Sequence, residues 1–205
     1  MACLLFLGFW NLGQGTYIPA KAWLAQDLMQ RAWLRAGEGV SRPAPWPWAD
    51  TWPVARLTGR NGEVDLIVLA GGSGRTLAFG PGHLSASALP GKAGNTIIAG
   101  HRDTHFRFLS DVEPGELIGL ETSEGQRHVY EVIGADVVDA RKGSLVLDTE
   151  SAMLTLVTCY PFEARDPGGP LRYIVRAKRT DTGFAMREGT PEIEAGRRRF
   201  LSTVL

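Results

Sequence analysis

Cys159 closes the run Thr155-Leu-Val-Thr-Cys159, a strand-like pattern that stops at Tyr160-Pro161, so its sulfur sits at a strand terminus, where reactive groups gather. Arg172 follows thirteen residues later and opens Leu171-Arg-Tyr-Ile-Val-Arg-Ala-Lys178, after a loop rich in Pro and Gly. If the two strands pair antiparallel, the end of one lies beside the start of the other, with opposed Cβ atoms about 5 Å apart. Side chains alternate between the faces of a strand, so Thr155, Val157 and Cys159 share one face, and Arg172, Ile174 and Arg176 share one face. Arginines do not line an apolar interior, so Arg172 points outward, and Cys159 can take the same side. His101 ends a third run, Asn95-Thr-Ile-Ile-Ala-Gly-His101, in the same position relative to its strand as Cys159.

A lone cysteine is by default a small buried hydrophobe, and only its neighbours make it a nucleophile. At pH 7 an unperturbed thiol is about 3% thiolate and an unperturbed imidazole about a quarter imidazolium, so an independent pair is jointly ionised about 1% of the time. Placing a guanidinium and an imidazole near the sulfur reduces that deficit, and the intrinsic nucleophilicity of the thiolate makes it tolerable. The chemistry that suits this set is acyl transfer. Cys159 would attack a carbonyl, Arg172 would stabilise the oxyanion or hold the substrate backbone, and His101 would protonate the leaving amine and then deprotonate the incoming nucleophile.

Other candidates are weaker. His105, four residues after His101, could mimic a metal pair, but ligands at that spacing need a helix and a third donor, and this stretch leaves a strand. His83 and His128 read as surface or hydrogen-bonded core residues. Cys3 lies in an apolar run far from Cys159, so the two cysteines make neither a disulfide framework nor a zinc site.

The elements that must position these residues are short strands. The candidates are Val54 to Leu57, Asp65 to Ala70, Thr96 to Ala99, Glu116 to Glu121, Arg127 to Gly134, Ala135 to Asp139, Met153 to Cys159 and Leu171 to Lys178. Eight strands with few helices predict an all-β, closed eight-stranded barrel over 54–179. Asn61-Gly62, Gly71-Gly-Ser-Gly74, Pro90-Gly91 and Pro114-Gly115 supply its turns, and short helical turns are expected near Pro81 to Ser85 and Phe106 to Ser110. The 25 Gly and 12 Pro of the 205-residue chain, against 21% charged residues, fit many tight turns better than a helical bundle. That length holds one domain with appendages. Lys plus Arg and Asp plus Glu each number 22, so no domain-wide basic field exists, and a nucleic-acid partner is not expected.

Residues 1–20 carry no charge and include the apolar run Ala2 to Trp10; as a helix they would cover about 30 Å, a hydrocarbon core. They are expected to be a membrane anchor in contact with lipid. A cleaved signal with Ala20-Lys-Ala22 as a poor processing site and a buried helix are the rivals. Lys21, Arg31 and Arg35 follow the run and no basic residue precedes it, which by the positive-inside rule opposes an external domain; an upstream start bearing basic residues would reconcile the two. Residues 21–53 read as an amphipathic helix, with Trp23, Leu24, Leu28, Ala32 and Trp33 recurring at three and four, and then as an extended Pro/Trp connector whose tryptophans pin it to its own domain. The polar tail 180–205 has no apolar period and reads as disordered.

With these residues in view, the chain resembles a sortase, the cysteine transpeptidase family of bacterial surfaces. The resemblance rests on Thr155-Leu-Val-Thr-Cys159, matching the family's Thr-Leu-x-Thr-Cys segment, on His101 in Ile98-Ala-Gly-His101, and on Arg172 in Leu171-Arg-Tyr-Ile-Val175. It spans about Val54 to Lys178. Together with Ala99-Gly-His-Arg-Asp-Thr-His-Phe106, Cys159-Tyr-Pro-Phe162 and Pro167-Gly-Gly-Pro-Leu-Arg172, it is most similar to the type found in Gram-negative, largely marine proteobacteria. The resemblance implies a sortase-like barrel, a single-pass anchor in the cytoplasmic membrane with an extracytoplasmic catalytic domain, and a protein substrate ending in a Leu-Pro-x-Thr-Gly-like sorting signal. The signal would be cleaved between Thr and Gly through a Cys159 thioester that an amine, of unspecified identity, resolves. It also implies that Thr158 helps position the substrate, with Val157 and Ile174 as further substrate-binding candidates and Arg141 to Thr149 bordering the groove. No acidic cluster clearly matches the calcium site of some sortases, so no metal and no cofactor are expected.

Two other readings remain. Cys159-Tyr-Pro-Phe-Glu-Ala-Arg165 is formally the Cys-x5-Arg loop of cysteine phosphatases, but Pro161 removes a backbone N–H and Glu163 adds a negative charge to what would be an anion site. A noncatalytic, membrane-tethered barrel that binds peptides along its edge, with Cys159 inert, is the other.

Overall fold

The computed structural model describes residues 23–59, 62–143, 147, 149–164 and 168–180. Eight strands close into a barrel: β1 (Pro53–Gly59), β2 (Val64–Ala70), β3 (Gly82–His83), β4 (Asn95–Ala99), β5 (Leu117–Thr122), β6 (Arg127–Asp139), β7 (Met153–Cys159) and β8 (Leu171–Thr180). Around the barrel their order is β1-β2-β3-β4-β7-β8-β6-β5. All neighbouring pairs are antiparallel except β2 with β3 and β4 with β7. Alternation fills the inside: Leu57, Val68, Ile98, Leu120, Tyr130, Leu154, Leu156 and Val175 are fully buried in one cluster. Closure leaves no sheet edge for another chain to extend.

The sequence predicts the number of strands correctly, but through two compensating errors. Arg127 to Gly134 and Ala135 to Asp139 are one strand, because a register shift passes over the exposed Ile133, Gly134 pairs with Arg176, and β6 continues its pairing with β8. In place of a helical turn near Pro81 to Ser85 stands β3, two residues wedged between β2 and β4. Gly82 allows that wedge, since a Cβ there would lie 2.1 Å from the Gly71 carbonyl oxygen. The turn expected near Phe106 to Ser110 is a 3-10 helix at Arg107–Asp111. β1 begins at Pro53 and β8 ends at Thr180, one residue beyond each expected bound of the barrel.

Before the barrel runs α1, described over 23–37. Its packed stripe is Ala25, Met29, Ala32 and Trp33, spaced by four, three and one, while Trp23 and Leu24 are exposed. Ala32 and Trp33 of the expected set are buried, while in the preceding turns Ala25 and Met29 are packed in place of Leu24 and the half-buried Leu28, and Met29 and Trp33 meet Ile67 and Leu69 of β2. Trp46 and Phe79 pack on this same cluster, with ring centroids 4.7 Å apart. Arg35 donates to the Ala44 carbonyl at 2.8 Å, and the Arg42 guanidinium lies over the Trp52 ring. Trp48, by contrast, is 81% exposed. A short α2 (Gly74–Leu77), capped by the Ser73 hydroxyl, leads into β3. The expected anchor over 1–20 and the tail from 181 lie outside the described residues. Among the described residues no helix is long and apolar enough to cross a membrane.

Two histidines sort differently. His83 is a satisfied core residue whose Nε2 lies 2.9 Å from the Ala88 carbonyl. His128 is neither at the surface nor satisfied: it is 7% exposed, inside the barrel, and neither ring nitrogen has a hydrogen-bond partner among the described residues. Burial, then the charges of Arg179 and Lys92, hold its pKa below the ordinary histidine range. Replacing His128 with Leu removes two unpaired polar atoms without extending the side chain toward Gly91, which packs on the ring, and is expected to raise stability by about 1 kcal/mol, or Tm by about 2–4 °C. Because the unfolded chain takes up this proton first as pH falls, the wild type should lose stability below the ordinary value of 6.5, and His128→Leu should lose less. Thermal melts at pH 7.5 and 5.5 measure both effects.

Candidate active site

β7 lies between β4 and β8, and the three chemically competent residues stand at the ends of these adjacent strands. Cys159 and Arg172 are direct cross-strand partners, and behind them Val157 faces Ile174 and Thr155 faces Arg176. This is the face opposite Leu154, Leu156, Val175 and Ala177, which fill the barrel. On the other side of β7, parallel pairing sets Ala99 opposite Val157, and the Gly100 N–H extends it by donating to the Val157 carbonyl at 3.0 Å. The Thr158 hydroxyl donates to the Gly100 carbonyl at 2.7 Å, so the segment that carries His101, the residue after Gly100, leaves β4 beside the end of β7. His101 is exposed, and Cys159 and Arg172 are half-buried.

The thiol therefore stands in the middle of the row, with the imidazole-bearing chain on one side and the guanidinium-bearing strand on the other. Arg172 Nη1 donates to the carbonyls of Gly169 (2.6 Å) and Leu171 (2.9 Å), so the loop before β8 holds its side chain. Gly100 is where β4 must give way: a Cβ there would come within 2.7 Å of the Phe106 ring, which is fully buried in the barrel core. The Phe106 N–H donates back to the His101 carbonyl at 2.9 Å, closing a tight turn just behind the imidazole.

Of the other residues singled out from sequence, Thr158 is 2% exposed, and its hydroxyl donates to the Gly100 carbonyl at 2.7 Å. It points inward and fastens β7 to β4 immediately before Cys159 and His101. Val157 and Ile174 pair on the same outward face as Cys159. Deeper on that face, Thr155 donates to Asn95 Oδ1 at 2.8 Å, and the Asn95 N–H bonds the Leu147 carbonyl, so the segment after β6 covers this end. Part of Arg141 to Thr149 lies outside the described residues. His105 is half-buried; burial first, and then the neighbouring His101, hold its pKa below the ordinary range. No three His, Cys, Asp or Glu side chains gather as metal ligands among the described residues.

Sequence reasoning missed two features. Tyr160, Phe162 and Tyr173 form an aromatic cluster beside Cys159 and Arg172, with Tyr160 stacked on Tyr173 at 6.1 Å and Phe162 edge-on to Tyr173 at 5.2 Å. The available signal was three aromatics flanking the two reactive residues in the chain. The second is Arg102, 7% exposed, which donates to the carbonyls of Pro161 and Ala164. The turn after Cys159 thus turns carbonyl oxygens, not N–H groups, toward that cation. A phosphatase loop requires the reverse.

A closed eight-stranded barrel with few helices is the sortase architecture. The sortase domain model matches residues 59–180, which is 122 of the 205 residues, and the chain belongs to the sortase family. It is 35% identical over 118 residues to Sortase D of Bacillus subtilis (strain 168), covering 57% of this chain and 59% of that protein. It is 35% identical over 88 residues to Sortase SrtE1 of Streptomyces coelicolor, covering 37% of this chain and 25% of that one. The chain thus matches less than two thirds of either relative's length. Among solved structures, the lid mutant of Sortase A from Corynebacterium diphtheriae superposes with a TM-score of 0.59 at 25% identity, over 78% of this chain and 95% of that one. A Clostridium perfringens Sortase D5 transpeptidase shares the fold, with a TM-score of 0.57 at 23% identity, over 74% of this chain and 88% of that one.

Proposed function

We propose that this protein is a cysteine transpeptidase that cleaves a Leu-Pro-x-Thr-Gly-like signal near the C-terminus of a substrate protein and transfers the acyl group to an amine. The observation that carries the reading is the direct pairing of Cys159 with Arg172 on the outward face, beside β4, whose continuation through Gly100 leads into His101. In the first half-reaction Cys159 passes its thiol proton to His101, the resulting thiolate bonds to the Thr carbonyl carbon, and negative charge develops on the carbonyl oxygen beside Arg172. The C–N bond then breaks as His101 gives a proton to the departing amine, leaving a thioester. In the second, an amine attacks the thioester, His101 takes its proton, and the thiolate leaves. Every proton and electron pair is accounted for by these three side chains, and the step requires no metal or cofactor.

Val157, half-buried on the face of Cys159, is suited to pack against the apolar part of the signal, whereas Ile174, 5% exposed, lies beneath that face, and Thr158 supports the same site from behind. Residues 1–20 would tether the domain to the outer face of the cytoplasmic membrane through a single uncharged span. The test is intact-mass spectrometry of the protein incubated with a Leu-Pro-Glu-Thr-Gly peptide and triglycine. The expected result is an acyl adduct on Cys159 and a ligated product that depends on the triglycine. Turnover of an aryl phosphate with no peptide adduct would overturn the reading.

A further inference from the structure

The buried cation next to the imidazole has no role in the chemistry just described. Arg102 follows His101 directly, yet its side chain is 7% exposed. Nη1 donates to the Pro161 carbonyl at 2.9 Å, Nη2 to the Ala164 carbonyl at 2.7 Å, and Nε to Asp103 Oδ1 at 3.2 Å. Pro161 lies two residues after Cys159 and Ala164 five. One planar fork therefore spans from the residue after the imidazole to the turn after the thiol. On the other side of the same pair, the Gly100 N–H bonds the Val157 carbonyl and the Thr158 hydroxyl bonds the Gly100 carbonyl at 2.7 Å. His101 and Cys159 are thus bracketed fore and aft by bonds between the two chain segments that carry them.

Burying a guanidinium is costly unless its donors are met, and a fold that needed only to hold a turn could do so with a neutral residue. What the fork supplies is direction: two carbonyls gripped at once by fixed N–H vectors set both the distance and the rotation between the segments. We infer that Arg102 is a positioning residue that holds His101 in register with Cys159, so that the imidazole reaches the leaving nitrogen. This rests on the transpeptidase reading and adds the group that enforces its geometry. Arg102 touches neither substrate nor sulfur in this role.

The experiment separates proton transfer from thiol attack by changing the leaving group. Wild type, Arg102→Lys and Arg102→Gln are compared in single-turnover acylation of Cys159, followed by intact mass, with a Leu-Pro-Glu-Thr-Gly peptide and with a Leu-Pro-Glu-Thr aryl thioester. An amine must be protonated to leave, whereas an aryl thiolate leaves unaided. Loss of the general acid is therefore expected to slow the peptide about 30- to 100-fold and the thioester less than about 3-fold. A lysine keeps the charge but cannot span two carbonyls, so it should not rescue. Arg102→Gln keeps one amide donor and serves if the lysine variant does not fold. Equal slowing with both donors, or slowing with neither, overturns the positioning role alone. A wild type that accepts the thioester but leaves the peptide intact, or that accepts neither, overturns the transpeptidase reading and this role with it.

Discussion

Cys159→Ala is expected to abolish both the acyl adduct and peptide cleavage, a loss of about 10⁴-fold or more, because Cys159 is the only cysteine among the described residues and the substitution removes the atom that bonds to carbon. The same substitution should leave the fold intact. Cys159 is the last residue of β7, half-buried on the outward face, while the barrel is filled from the opposite face by Leu154 and Leu156. Surface changes of this kind cost within about 0.5 kcal/mol, so the melting temperature should move by no more than a degree or two. The measurement is paired: product by mass spectrometry and Tm on one preparation. A peptide-binding barrel with an inert thiol makes the opposite forecast, in which a labelled signal peptide binds the variant and the wild type alike and neither is ever acylated. Retention of more than about 1% of cleavage by Cys159→Ala would remove the thiol from the mechanism.

The parts of this site that could be read from the chain are those governed by alternation. β7 has the bounds its pattern indicates, and the parity of Arg172, Ile174 and Arg176 places their face outward without any knowledge of the barrel. That parity and antiparallel pairing together give the Cys159–Arg172 register. The parts that could not be read are those made by contacts distant in sequence. β3 has two residues and hence no period, and it exists because Gly82 lets the chain pass against the Gly71 carbonyl. Gly134 looks like a strand end, yet it pairs with Arg176 of β8, and the residue the bulge leaves over is Ile133. Along α1 the apolar pattern takes in Trp23 and Leu24, yet both are exposed, and Met29 and Trp33 are the residues that pack on Ile67 and Leu69 of β2. Arg102 in the run His101-Arg-Asp-Thr-His105 reads as a solvated charge, because the two carbonyls that bury it are contributed some sixty residues later.

Arg172 tests the remaining link, between the strand pairing and the charge that develops during reaction. A guanidinium has five N–H donors, and the bonds to Gly169 and Leu171 come from Nη1 alone, so the other nitrogens can donate to a substrate carbonyl seated over Cys159. Those two bonds also fix the plane of the fork before substrate arrives, which is the condition under which a donor stabilises an oxyanion at no cost in reorganisation. Arg172→Ala is therefore expected to lower kcat about 10²- to 10³-fold, the usual effect of removing an oxyanion donor. Arg172→Lys should recover no more than about tenfold, because a flexible ammonium carries the charge but cannot hold the Gly169 carbonyl and the oxyanion in one plane. Steady-state kinetics separates the two duties open to this residue. A fall confined to kcat assigns it to the oxyanion, whereas a rise in KM with kcat preserved assigns it to gripping the signal's backbone in the ground state. A loss of less than about threefold in both parameters for Arg172→Ala would leave the Cys159–Arg172 pairing as sheet architecture and would require another donor for the oxyanion.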